Sequence, residues 1–173
     1  MEENNFRVKL ELITVEDTPL IVKWRNNENV RKNFIFQEPF TEEMHLNWLN
    51  TKVASKEVVQ FIIKIKENNK PIGSVYFRDI DYVKKEAEYG IFIGEDDERG
   101  KGYGSEVVKL ALDYAFNELD LDTIILRVFA DNKFAIKSYE SAGFTFDRLE
   151  KDFIKTEDGT RDLVFMKVMK GRE

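Results

Sequence analysis

Glycines and basic side chains alternate in the segment Arg99-Gly100-Lys101-Gly102-Tyr103-Gly104. Three glycines at every second position let the backbone approach a ligand closely and turn its N–H groups one way. An apolar run, 86–93, leads into this segment, and an amphipathic run, 105–119, follows it. The start of that predicted helix adds unpaired N–H groups and the positive end of a dipole. The pattern predicts a loop that binds a phosphate or pyrophosphate, with positive charge from the two basic side chains.

Two common phosphate-binding loops do not fit this segment. A P-loop needs Gly-Lys followed by Ser or Thr, but Lys101 is followed by Gly102. The dinucleotide fingerprint ends in Gly or Ala, where this chain has Ser105. The spacing that fits is Arg/Gln-x-x-Gly-x-Gly/Ala, filled by Arg99, Gly102 and Gly104. It resembles the acetyl-CoA pyrophosphate loop of the GNAT (GCN5-related) N-acetyltransferases.

A second motif lies about thirty residues beyond the loop. Residues 132–144 read Asn-Lys-Phe-Ala-Ile-Lys-Ser-Tyr-Glu-Ser-Ala-Gly-Phe. They resemble the GNAT signature Asn-x-x-Ala-x-x-x-Tyr-x-x-x-Gly-Phe. Either motif alone could arise by accident, but both occur here in the family's order. The resemblance implies an acetyltransferase that uses acetyl-CoA as cosubstrate.

The resemblance also assigns residues to the cofactor. In the family two strands splay apart, and the pantetheine arm pairs with the backbone edge of one of them. Asn132 resembles the asparagine that holds the pantetheine amide, and Ala135 belongs to the same motif. The implied cofactor-binding residues are Ile91, Phe92, Ile93, Arg99, Gly100, Lys101, Gly102, Tyr103, Gly104, Ser105, Asn132 and Ala135.

Two residues resemble the family's catalytic groups. Tyr139 matches the tyrosine whose phenol can protonate the departing thiolate, and Glu88 matches a strand carboxylate that serves as general base, directly or through water. Each also has a simpler interpretation. The tyrosine could only pack on its helix, and the glutamate could be a cross-strand partner.

Composition limits the other function classes. The chain has 173 residues, interpreted as one domain over 1–173, and a formal net charge of −6, which argues against nucleic-acid binding. It has no cysteine, and its single histidine, His45, is predicted to lie on a surface helix without a function. We therefore expect no metal site. No apolar run approaches the roughly 20 residues of a membrane span, and an acidic start is no secretory signal, so we expect a cytoplasmic protein without a membrane partner.

Periodicity predicts an α+β domain with a mixed, mostly antiparallel, splayed sheet and about four helices. Strands are expected at 6–12, 58–66, 72–80, 86–93, 123–129, 144–149, 153–155 and 162–167. A helix should follow Thr18 as its N-cap, further helices should begin at 41, 105 and 132, and 24–31 should be a loop. The acidic run 95–98 is expected to be solvated.

The resemblance implies an amine acceptor, and two GNAT branches resemble this chain. Trp24-Arg25-Asn26, Val30-Arg31 and the segment from His45 to Leu49 resemble the amino-sugar-nucleotide N-acetyltransferases, which we favour slightly. Residues 36–40 and 85–88 resemble the spermidine N-acetyltransferases and the enzymes that acetylate ribosomal-protein N-termini. A non-catalytic acyl-CoA sensor is the alternative from another class. A homodimer is expected from family habit and from exposed strand edges.

Overall fold

The computed structural model describes residues 5–171 and contains a seven-stranded sheet in the order β1-β2-β3-β4-β5-β7-β6. Neighbouring strands are antiparallel except β4 and β5, which are parallel. The predicted mixed, mostly antiparallel α+β sheet is confirmed. The strands are β1 Val8–Leu12, β2 Val59–Ile65, β3 Pro71–Asp81, β4 Glu86–Ile93, β5 Thr123–Phe129, β6 Thr145–Thr156 and β7 Gly159–Met169.

Five α-helices accompany the sheet, one more than the predicted number. The 15-residue α4 begins at Tyr103, two residues earlier than predicted, and its apolar stripe packs on the sheet as the periodicity indicated. The five helices are α1 Thr18–Arg25, α2 Glu28–Arg31, α3 Glu42–Trp48, α4 Tyr103–Asn117 and α5 Lys133–Ser141. Within residues 5–171, no helix is both long and apolar enough to cross a bilayer.

The segment predicted as a loop at 24–31 is mostly helical. The Asn27 side chain accepts a hydrogen bond from the Asn29 N–H at 3.0 Å and starts α2 there. The predicted cap at Thr18 is also wrong, because Thr18 is already the first residue of α1 and is buried. Asn26 and Asn27, which indicated a loop, instead cap the end of α1 and the start of α2.

The C-terminal strands join into a long hairpin. The predicted segments 144–149 and 153–155 form one strand, β6, whose pairing with β7 shifts between Glu150 and Ile154. Asp152 lies in that irregular part with φ of 54°, a conformation that Asp tolerates better than most residues. A β-bulge therefore separates what the sequence presents as two strands.

Two apolar clusters cover the sheet. The larger one joins α4 to the strands, and the smaller one packs α1 and α2 against β2 and β4. Trp24 is fully buried in the smaller cluster, where its ring meets Phe92 edge-on with centroids 6.3 Å apart. Burying one large apolar side chain contributes about 1.5–3 kcal/mol, so this contact fixes α1 on the sheet. Arg25, the next residue, is thereby held beside the central strands.

Candidate active site

A cleft of about 1090 Å³ opens where β4 and β5 separate. The two strands pair only from Glu86 with Thr123 to Glu88 with Ile125. Beyond that point β4 continues to Ile93 and β5 to Phe129 without a ladder between them. The predicted splay is confirmed. It leaves the β5-facing N–H and C=O groups of residues 89–93 without a strand partner, and Ile91, Phe92 and Ile93 line the cleft.

The glycine loop forms one end of this cleft. Gly100 and Gly102 have φ of 77° and 84°, the left-handed region that favours glycine. Gly102 immediately precedes α4, and a Cβ on Gly104 would meet no heavy atom within 4 Å. The first-turn N–H groups of α4 have no acceptor within their own helix. This end of the cleft therefore presents bare backbone and a helix N-terminus, a suitable site for an anion.

The basic side chains of the loop are engaged with carboxylates. Arg99 pairs through Nη1 with Asp96 and donates from Nε to the Ile93 carbonyl at 3.0 Å. Its Nη2 is buried and has no hydrogen-bond partner within residues 5–171. Lys101 pairs with Glu98 at 3.1 Å and does not line the cleft, unlike the other residues of the loop. The loop's side-chain charge is thus largely neutralised before a ligand arrives.

The acidic run before the loop is therefore structural, and the expectation that it is solvated is wrong for part of it. Glu98 is buried between Lys70 and Lys101, and its pKa is lowered by the hydrogen bond from Lys101 and then by that from Lys70. Asp96 also accepts from Asn27 and Asn29, and its pKa is lowered chiefly by the hydrogen bond from Arg99. These pairs tie the loop to α2 and to Lys70, just before β3.

Arg7, just before β1, holds the loop from the other side. Its Nη2 donates to the Lys101 carbonyl at 2.9 Å, and its Nε donates to Glu106 in the first turn of α4 at 2.7 Å. Its guanidinium also lies 4.4 Å from the Tyr103 ring centroid. A residue more than ninety positions away thus fixes the loop, and nothing in its local sequence indicates this.

The second motif faces the middle of the cleft from α5. Asn132 caps this helix by accepting from the Ala135 N–H at 3.3 Å, and both residues line the cleft. Tyr139 stands almost two turns further on, with its ring packed edge-on against Tyr89 and Phe144 at 6.1 and 5.8 Å between centroids. Burial raises the pKa of the Tyr139 phenol well above its usual range. The phenol therefore remains protonated at neutral pH and is able to donate a proton.

Glu88 lies at the point where the strands part and is already paired. Arg127 of β5 donates from Nη2 to Glu88 Oε2 at 3.0 Å, and its Nε is 2.8 Å from Oε1. The cross-strand interpretation of Glu88 thus describes its contacts, although the carboxylate also lines the cleft. A role as base would require it to work from within this ion pair.

A family model described as the acetyltransferase (GNAT) domain matches residues 7–145. The chain belongs to this family. The spermidine N(1)-acetyltransferase of Vibrio cholerae serotype O1 is 30% identical over 141 residues, covering 81% of this chain and 80% of that protein. Acetyltransferase PseH of Campylobacter jejuni serotype O:23/36 is 28% identical over 138 residues, covering 80% and 83%.

The fold agrees with solved structures. A crystal structure of spermidine N-acetyltransferase from Vibrio cholerae, in complex with CoA and spermine, superposes with a TM-score of 0.87 at 24% identity, covering 94% of this chain and 95% of that one. This likeness shows the fold. The family model and the sequence relatives show that the protein is an N-acetyltransferase that uses acetyl-CoA.

The far end of the acetyltransferase's cleft is built from α1, α3 and the segment between α2 and α3. The Arg25 guanidinium lies 3.8 Å from the Phe34 ring centroid and 4.4 Å from that of Phe40. Asn26, the next residue, binds the Phe40 backbone through both of its side-chain groups and fixes that segment. Of the Trp24-Arg25-Asn26 run, only Arg25 lines the cleft.

The prediction that His45 lies on the surface is wrong. Its side chain is 1% exposed, lines the cleft and packs near Phe40 with ring centroids 6.2 Å apart. Burial, followed by the nearby charge of Arg25, lowers the pKa of His45 to about 4. The imidazole is therefore neutral at physiological pH.

Sequence reasoning missed several cleft residues on the strands. Tyr76 and Arg78 of β3 stand opposite Gly90 and Glu88 of β4 and line the cleft on one face. Their spacing of two in a predicted strand was the available signal, because such residues share a face. Arg127 gave no local signal, since it is one polar residue in an apolar strand.

Proposed function

We propose that this acetyltransferase transfers the acetyl group of acetyl-CoA directly to the primary amine of a small molecule. One observation carries the proposal. The glycine loop, the unpaired β4 edge, Tyr139 and Glu88 border a single cleft whose other end is lined by Arg25 and His45. Two substrates can thus enter from opposite ends and meet where the strands part.

The cofactor end supports ground-state binding. Backbone N–H groups of residues 100–105 would hold the pyrophosphate, and the β4 edge would pair with the pantetheine arm. The Asn132 amide nitrogen has no hydrogen bond within the described chain, so it is available for a pantetheine carbonyl. A β4 N–H near the splay would polarise the thioester carbonyl and stabilise its developing negative charge.

Proton transfer completes the reaction. Attack of the neutral amine on the thioester carbonyl forms the C–N bond, and collapse of the tetrahedral intermediate breaks the C–S bond. Tyr139 would donate its phenolic proton to the departing sulfur. Glu88, directly or through water, would accept the proton that the amine loses.

For the acceptor we propose an amine that also carries an anionic group, such as an amino-sugar nucleotide. The support is the resemblance of the Trp24-Arg25-Asn26 region to that branch and the basic character of the acceptor pocket, where Arg25 and Arg78 lie. A polyamine is the second candidate, because the Vibrio cholerae relative is a spermidine N(1)-acetyltransferase. The acidic residues Glu38, Glu42 and Glu43, which could attract a polyamine, are exposed and do not line the cleft.

The test is a thiol-release assay with acetyl-CoA and a panel of amino-sugar nucleotides, polyamines and peptides. Acetylated product should be identified by mass spectrometry, so that hydrolysis of the thioester is not mistaken for transfer. Binding of acetyl-CoA without thiol release for any amine would point instead to a sensor module. Light scattering over a range of protein concentrations in the same buffer tests the predicted homodimer. One solved structure of spermidine N-acetyltransferase from Vibrio cholerae is described as dodecameric.

A further inference from the structure

Arg25 differs from the other arginines of the cleft in having no carboxylate partner. Arg78 pairs with Asp79, Arg99 with Asp96 and Arg127 with Glu88. Within residues 5–171, no carboxylate lies within ion-pair distance of Arg25. Its charge instead rests against the faces of Phe34 and Phe40. Ring faces attract a cation, but they offer no oxygen acceptor to the five N–H donors of a guanidinium.

The surroundings of Arg25 leave its charge uncompensated. Burial lowers the pKa of Arg25, the Tyr76 phenol opposes this shift, and the like charge of Arg78 reinforces it. His45 is neutral and adds no charge. A partly buried cation without a counterion costs stability, and an anion that arrives with a ligand would offset that cost.

Among residues 5–171, a buried polar group beside Arg25 also lacks a partner. His45 is 1% exposed, and within the described chain its Nε2 has no hydrogen-bond partner. His45 and Arg25 line the same end of the cleft, remote in sequence from the glycine loop. The buried His45 and the partly buried Arg25 thus keep unused hydrogen-bonding capacity.

We infer that Arg25, with His45 beside it, binds an anionic group of the amine acceptor, either a carboxylate or a phosphate. This inference rests on the proposed function and specifies its substrate class. A guanidinium matches either oxyanion with two parallel N–H bonds, and hydrogen bonds to charged groups are the strong ones. The Phe34 and Phe40 rings pack against the guanidinium and hold it in place. An acceptor made only of ammonium groups would add positive charge next to Arg25 and Arg78.

The test compares matched ligands by calorimetry at saturating CoA, which occupies the glycine loop. Glucosamine 6-phosphate is compared with glucosamine, and glycine with glycinamide, so the two pairs distinguish phosphate from carboxylate. The wild type should bind the anionic member of at least one pair about 10- to 100-fold more tightly, the usual effect of hydrogen bonds to a charge. Equal affinity within both pairs would overturn the inference.

Variants of Arg25 test whether its side chain causes the preference for the anionic ligand. Arg25→Gln should abolish the preference within the pair, and Arg25→Lys should retain part of it, because a lysine keeps the charge without the fork. Lys23→Gln on the same helix, outside the cleft, is the control and should bind like the wild type. A preference that survives Arg25→Gln, in protein whose thermal unfolding is still cooperative, would contradict the inference.

The two proposals fail separately. Anion preference that depends on Arg25, without thiol release for any amine, would refute the catalytic proposal and leave the anion site standing. Thiol release with amines that carry no anionic group, and equal binding of anionic and uncharged ligand partners, would refute the anion site and leave the catalytic proposal standing. Spermidine binding tighter than every anionic probe would count against the anion site and for the polyamine candidate.

Discussion

The two ends of the cleft are built in different ways. The end with the glycine loop, where we propose that the cofactor binds, is lined by residues from two contiguous segments, 99–105 and 132–139. The acceptor end uses side chains from α1, α3, β3 and β4, separated by up to about sixty residues in the chain. The basic side chains of the glycine loop are paired with carboxylates, while Arg25 at the other end has no such partner within residues 5–171. A ligand common to the family can be bound by local backbone geometry, whereas a particular acceptor needs side chains that the fold brings together.

The largest effect is expected from Tyr139, which lies where the two ends of the cleft meet. Tyr139→Phe removes one hydroxyl from a ring packed on Tyr89 and Phe144. We expect kcat to fall about 10²- to 10⁴-fold, the range for a positioned general acid, with acetyl-CoA affinity unchanged. The free energy of unfolding should change by no more than about 1 kcal/mol. Normal turnover of the phenylalanine variant with its true acceptor would remove Tyr139 as the acid.

Glu88→Gln tests the proposed general base, which lies where β4 and β5 part. The change keeps the shape and removes the basicity, so we expect turnover at neutral pH to fall about 10²-fold, the lower limit for a general base. The deficit should shrink as pH rises, because more of the amine is then unprotonated. Glu86→Gln, on the same strand but outside the cleft, is the matched control. A wild-type rate with an unchanged pH profile would leave Glu88 as the partner of Arg127 alone.

Gly102→Val tests whether the cofactor end depends on bare backbone. A branched side chain at φ of 84° strains the loop, and its Cβ would lie 3.4 Å from Arg7 Nη2, which holds the loop in place. We expect the Kd of CoA, measured by calorimetry, to rise about 10- to 100-fold, as for the loss of hydrogen bonds to a charge. The thermal stabilisation by CoA should fall in parallel.

Gly159→Val is the control for the glycine-loop variant. Gly159 also has a positive φ, 129°, but lies in the β6–β7 hairpin turn, where an added Cβ meets nothing within 4 Å. It carries similar backbone strain without touching the cleft. If both variants lost CoA binding equally, the effect would be destabilisation, and the loop assignment would fail.

The smallest expected effect concerns stability at the acceptor end. The pKa of His45 is about 4 in the folded protein, against about 6.5 when unfolded. Between these values the unfolded chain binds more protons, so His45 makes the fold less stable as pH falls from 6.5 toward 4. Going from pH 7 to pH 5 should cost about 2 kcal/mol through this group.

Urea unfolding of the wild type and of His45→Asn at several pH values checks the contribution of His45. The contributions of the other titrating groups cancel in the difference between the two free energies of unfolding. The stability of the wild type relative to the variant should decline as pH falls. A difference that does not vary with pH would mean that His45 is solvated in solution.

Most of the architecture was predictable, and the failures share a cause. The period of 3.6 in residues 105–119 and the apolar run 123–129 come from side chains facing one core, so local patterns predicted α4 and β5. Asparagine is common both in loops and at helix ends, so Asn26 and Asn27 do not by themselves distinguish the two. Packing of Trp24 on Phe92 selects the helices. The bulge near Asp152 depends on pairing with β7, which no short window contains.

The same division applies to the site. The sequence by itself determined the glycine loop, the capping Asn132 and Tyr139, because backbone dihedrals, helix caps and a fixed helical spacing are local properties of the chain. Tertiary structure alone decided that Arg127 pairs with Glu88, that Arg7 holds the loop and that His45 is buried beside Arg25. Those contacts join residues tens of positions apart, and burial, which sets their charges and pKa values, exists only after the sheet and its helices have packed.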